Sequence, residues 1–105
     1  MRPKYQHDWQ TLIIRLWINF ETMKTTVRQI INNWDPIGLL SNAPDDEYDS
    51  EIDAITRMAV CFKNCIELAE GIYQVFVQSF GEDVFCKTVS ECEKIADEIF
   101  QRKKT

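Results

Sequence analysis

The residues of this chain that could do chemistry are mostly carboxylates, and they are crowded. Asp45, Asp46, Glu47, Asp49, Glu51 and Asp53 fall within nine positions, with Tyr48 among them and Asp35 upstream. Residues 34–56 carry seven acids and no base, net −7, in a chain of 105 residues whose whole net charge is −5. Carboxylates at alternate positions, as at 45, 47 and 49, suit calcium, which takes about six to eight oxygen ligands. Counted from Asp45, an EF-hand loop would need Gly at its sixth place and Glu at its twelfth, where Ser50 and Thr56 stand. No metal ligand is therefore assigned. Acids just ahead of a helix ordinarily satisfy its amino end. That accounts for Asp49, Glu51 and Asp53, and less well for Asp45, Asp46 and Glu47.

Those three acids, with Tyr48, form the candidate partner-binding set, since aromatics ringed by charge anchor interfaces. The competing reading of Tyr48 is a loop pin, with its ring on the core and its hydroxyl on the backbone. Asp35 reads as a cap on a backbone turn. No catalytic residue is assigned. A glycosidase would need two carboxylates across a pocket, and nothing in the spacing marks such a pair. Nucleophilic catalysis needs a base beside Ser or Cys, yet the one histidine, His7, lies at the amino end. The four cysteines, Cys61, Cys65, Cys86 and Cys92, are spaced too loosely for a zinc knuckle. No cofactor is expected. With Arg15 interrupting the apolar run TLIIRLWINF and no small-residue cleavage site after it, no secretory signal is read. Free thiols in a reducing cytoplasm are the expectation.

The elements that must position these groups are helices. Hydrophobic residues make up 45% and aromatics 11%, which excludes an intrinsically disordered chain. Three Gly and three Pro are too few for a turn-rich all-β fold. The acidic balance argues against nucleic acid as a partner, because phosphates want a basic face. No run reaches the roughly 18 apolar residues that span a bilayer. Apolar residues from Trp9 to Trp34 recur in steps of three and four, one stripe of a helix, with Asp8 placed to cap its start. One helix of that length exceeds the usual, so a break near Asn19–Thr22 is expected.

Pro36 ends the pattern, and residues 35–49 form a loop in which Trp34, Ile37 and Leu39 should be buried against the core. Ser50 with Asp53 reads as a capping box opening the next helix, Asn64 with Glu67 as another, and Thr88 with Glu91 as a third. Gly81 suits the left-handed position after a helix. Cys92 lies on an apolar stripe, as a small buried thiol would.

The segment WDPIGLLSNAPDDEYDSEI, residues 34–52, resembles the YugE-like family of bacterial proteins, domain of unknown function 1871. The likeness rests on Trp34-Asp35-Pro36-Ile37, Pro44, Asp46-Glu47-Tyr48-Asp49 and Glu51-Ile52. It continues more weakly through LAEGIYQVFVQSFG, so that it covers roughly residues 23–100. The resemblance implies a small all-α domain and no particular activity. It makes residues 1–22 an amino-terminal extension, helical by pattern, and residues 23–105 the family's domain. Trp34, Asp35, Pro36, Pro44 and Asp49 are then motif residues with a structural role.

The expected fold is all-α, a compact bundle of four to five helices with an ordered acidic loop at 35–49. The expected function is a non-enzymatic protein-interaction module, immunity- or inhibitor-like by analogy alone, whose acidic loop meets a partner with a basic surface. The alternative is a small enzyme using the loop carboxylates with a divalent cation. Trp9, Trp17 and Phe20 are either core or a seam for a second copy of the chain.

Overall fold

Hydrophobic residues repeating at helical spacing, with Gly and Pro confined to the connections but for Gly71 and Pro3, leave the backbone little alternative to helix. The computed structural model describes residues 3–40 and 46–104, with side chains described over residues 19–40 and 46–103. Four helices result: α1 Pro3–Trp34, α2 Asp49–Cys61, α3 Cys65–Phe80 and α4 Val89–Lys104. No strand occurs among the described residues. The helices form a ring in which each packs on its neighbours in the chain and α4 closes onto α1. Three residues join α2 to α3, which makes them antiparallel neighbours.

The core is filled from every helix: Val27, Ile30 and Ile31 of α1; Ile52, Ile55 and Ala59 of α2; Leu68, Ala69, Ile72 and Phe76 of α3; and Cys92, Ala96 and Ile99 of α4. Gly71 of α3 faces the Met58 side chain of α2. A Cβ there would run into the Met58 sulfur, so a residue that weakens a helix interior by about 1 kcal/mol is kept for the approach it allows.

The expected break in α1 does not occur. No Gly or Pro lies between Pro3 and Trp34, and Thr25 turns its hydroxyl back onto the Glu21 carbonyl at 3.2 Å. Length alone is no cause for a break. The helix starts at Pro3, where the missing amide N–H costs nothing, so Asp8 lies inside it and does not cap it. The start of α2 also shifts. It begins at Asp49, with Tyr48 in the cap position and no side-chain cap. Asp53 forms no box with Ser50 and instead pairs with Lys24 at 3.3 Å and Arg57 at 2.7 Å.

The other caps form as the spacing indicates. Asn64 Oδ1 accepts from the Ile66 amide at 2.7 Å. Thr88 and Glu91 exchange hydrogen bonds, each side chain accepting from the other's amide at 3.1 Å. Gly81 takes φ +86° and donates its amide N–H to the Val77 carbonyl at 2.7 Å. At the far end of α2, the Lys103 ammonium donates to the Ala59 carbonyl at 2.8 Å. A cation from α4 thus neutralises the negative end of the α2 dipole.

The four cysteines are free, with Cys61 and Cys86 exposed, Cys65 half-buried and Cys92 buried. Burial, with a smaller contribution from Glu91, pushes the Cys92 thiol up to about 12. Because the thiolate is the reactive form, iodoacetamide at neutral pH should label Cys61 and Cys86 first. Cys65, whose thiol is also raised by burial, should follow, and Cys92 should react only on unfolding. Peptide mass spectrometry over a labelling time course checks this order, and early labelling of Cys92 would contradict it.

Candidate functional site

The acidic segment is held by one carboxylate. Asp35 follows the last residue of α1 and adopts φ +45°, the left-handed conformation in which Gly is usual and Asp is tolerated. Its amide N–H still closes the helix onto the Ile31 carbonyl at 2.8 Å. This turns the chain so that Asp35 Oδ1 accepts from the Leu39 amide at 3.0 Å, the Leu40 amide at 3.4 Å and the Tyr48 hydroxyl at 2.6 Å. The hydroxyl accepts in turn from the Ile37 amide at 3.1 Å. The amides of Ile37, Leu39 and Leu40 are thereby satisfied by two side chains thirteen residues apart.

Tyr48 is fully buried. Its ring meets Phe76 edge-on at 5.8 Å and Phe80 at 6.3 Å. Phe76 also stacks on Phe85 at 5.1 Å and meets the edge of Trp34 at 5.8 Å. These rings gather where α1 and α3 end and α2 begins. Burial, reinforced by the hydrogen bond to Asp35, pushes the Tyr48 phenol up from 10.0 to about 12. The loop-pin reading of Tyr48 therefore holds. As a partner-surface residue Tyr48 is corrected, since a side chain with no exposed area touches no partner. Trp34, Ile37 and Leu39, expected to be buried, are only partly so. The Asp35 turn leaves them around the rim of the aromatic cluster, while Phe76 occupies its centre against Trp34, Tyr48, Phe80 and Phe85. Pro36 is buried.

The acids divide into two groups. Asp49 pairs with Arg28 at 2.8 Å, and Asp53 with Lys24 at 3.3 Å, so two turns of α2 are clipped onto α1. Asp46 and Glu47 are exposed, one turn ahead of the helix, and the Asp46 carbonyl accepts from the Asp49 amide at 3.1 Å. Glu51 is nearly buried in the first turn of α2, with one carboxylate oxygen lacking a hydrogen bond. Asp45 and Pro44 lie outside the described residues. Among the described residues, no group of three or more His, Cys, Asp or Glu is placed to hold a metal ion. Nor is any helix among them long and apolar enough to cross a membrane.

A shallow groove of about 380 Å³ lies at the opposite end of the bundle, between Asn19, Thr22 and Thr26 of α1, Val60 of α2, and Arg102 and Lys103 of α4. No carboxylate lines it. The loop acids and this groove are therefore separate features. Four contributors escape a reading by residue type. Phe76 looks like any core residue, Arg28 and Lys24 like solvated bases, and Lys103 like a frayed helix end. Their roles come from distant partners that local spacing does not reveal.

The family model described as Domain of unknown function (DUF1871) matches residues 26–105. The chain belongs to that family. No curated protein and no solved structure matches it. The match includes Asp35 and Tyr48, whose side chains join the end of α1 to the start of α2.

The clasp makes a measurable claim. Tyr48→Phe keeps the ring and removes the hydroxyl bridge, and should cost about 1.5–3 kcal/mol, as for a hydrogen bond to a charged group. Asp35→Gly relieves the left-handed strain yet removes the acceptor, so it should also destabilise, and by more than Asp35→Asn. A phenol raised in the folded state contributes stability that is fully present below pH 10 and lost as pH rises through 12. Denaturant melts of the parent should weaken across that window by roughly 2–3 kcal/mol more than those of Tyr48→Phe. Parallel losses in both proteins would contradict the assignment.

Proposed function

We propose that the protein is a non-enzymatic interaction module that presents Asp46 and Glu47 to a protein partner with a basic surface. The observation that carries this reading is a contrast within three consecutive residues. Tyr48 is fixed in the core, while Asp46 and Glu47 before it are exposed. Carboxylates held on a pinned backbone lose little conformational freedom on association, which favours binding. Their negative field, unrelieved by nearby bases in sequence, steers a basic surface toward them.

Asp45 extends the same acidic run in sequence. The neighbouring acids Asp49 and Asp53 serve α1, which leaves Asp46 and Glu47 as the part of the segment that the fold does not use. Exposed free thiols at Cys61 and Cys86 suit a reducing compartment, and we place the module in the cytoplasm on that ground. An inhibitor-like role, covering a basic site on another protein, fits this surface by analogy.

The test compares the parent with Asp46→Asn/Glu47→Gln. Stability should change by no more than about 0.5 kcal/mol, as for surface substitutions, or rise slightly as self-repulsion falls. Saturable capture of a basic protein partner should fall with added salt for the parent. For the variant it should be weaker and nearly independent of salt. Equal capture by both proteins at every salt concentration would refute the proposal.

A further inference from the structure

The two sides of α2 are served unequally. Asp49 and Asp53 stand on its α1 side, and each finds a base there, Arg28 at 2.8 Å and Lys24 at 3.3 Å. Glu51 stands on the other side. It precedes Met58 by seven residues, two helical turns, and the Met58 side chain faces Gly71 of α3. The sixteen residues of α3 include no Lys, Arg or His, so the neighbouring helix brings Glu51 no base. Nor does Glu51 close a capping box. Glu91 accepts from the amide of Thr88, three residues before it, at 3.1 Å. Glu51 has the same spacing from Tyr48, yet its Oε1 is buried without a hydrogen-bond partner, and only 7% of the residue is exposed. A buried carboxylate oxygen left unpaired forfeits hydration and regains nothing. Side chains on a helix lean toward its amino end, so the Glu51 carboxylate is aimed over the preceding turn, where Glu47 is exposed. Like charges one turn apart repel. A buried carboxylate and an exposed one therefore share the edge of the acidic surface, and no ion pair to either forms among the described residues.

We infer, resting on the reading of Asp46 and Glu47 as a partner surface, that Glu47 and Glu51 together receive one guanidinium group from an arginine of that partner. The chemistry of the occupant follows from the two carboxylates. Because Glu51 is buried, the occupant must give up water to reach it, and water holds a guanidinium less tightly than an ammonium. The N–H donors of a guanidinium lie in one plane and can serve two acceptors at once. Side chains one turn apart have Cβ atoms about 5–6 Å apart, within reach of one such fork. A metal ion fits less well. Calcium takes about six to eight oxygens, and among the described residues no group of three or more His, Cys, Asp or Glu is placed to hold one. The partner's arginine thus supplies the base that α3 does not.

Titration of the full chain with methylguanidinium chloride tests the inference, followed by the amide and side-chain carboxyl NMR signals of residues 46–52. Sodium chloride at matched ionic strength is the control. Methylguanidinium should bind saturably at Glu47 and Glu51, and methylammonium more weakly. Glu51→Gln keeps the side chain's shape and should melt no lower than the parent. It should bind methylguanidinium about tenfold more weakly. Shifts that never saturate and that sodium chloride reproduces would overturn the inference. So would equal binding of the two organic cations, or undiminished binding by Glu51→Gln. A Glu51→Gln variant that melts lower would overturn it too, by showing that the carboxylate already serves the fold. Failure of the partner surface is a separate outcome. Equal capture of basic proteins by the parent and Asp46→Asn/Glu47→Gln would refute that surface, while saturable methylguanidinium binding lost in Glu51→Gln would still establish the receptor.

Discussion

A carboxylate that accepts a buried phenol at 2.6 Å sets the terms for the rest of the described structure. Asp35 carries the left-handed turn that ends α1, and its Oδ1 gathers the donors that a loop of this kind would otherwise leave unsatisfied. Tyr48 brings the loop's far end back to the same atom and drives its ring into Phe76 and Phe80. Closure of the loop, termination of α1 and placement of α2 are thus one event. A short hydrogen bond to an ionised oxygen is about twice as strong as a neutral one, and here it is shielded by the aromatic cluster. That offsets the roughly 1–2 kcal/mol of backbone strain at a non-glycine residue in this conformation.

The same clasp explains how a segment of net −7 is tolerated next to a folded core. Its acids are not equivalent. Asp35 serves the loop, Asp49 and Asp53 pair with the bases of α1, and Glu51 lies in the positive first turn of α2. Half-exposed ion pairs of this sort contribute little singly, but these two join successive turns of α2 to α1. Asp46 and Glu47 are what is left over. That residue of charge, presented next to the buried Tyr48, is the reason for assigning the surface a role outside the fold.

Helix type and most helix ends were legible in the sequence because they depend on neighbours: Asn64 on Ile66, Thr88 on Glu91, and Gly81 on its own freedom at positive φ. The turn role of Asp35 was legible too, since Pro36 must follow a non-helical residue. What could not be read depends on distant partners. Nothing local distinguishes Tyr48 in the core from Tyr48 on a surface; the difference is made by Phe76 and Phe80, some thirty residues away. Asp53 matched a capping box by spacing, and Lys24 and Arg57 redirected it. The continuity of α1 follows from an unbroken helical pattern, which outweighs the usual length of a globular helix.

Amide hydrogen exchange at Leu39, Leu40 and Ile37 tests the central claim most directly, because those N–H groups bond only to Asp35 and Tyr48 side-chain oxygens. If the clasp holds the loop as described, all three should exchange as slowly as the core amides of α2 and α3, opening only with the bundle. Exchange at the rate of exposed loop amides, with α2 and α3 still protected, would contradict the account.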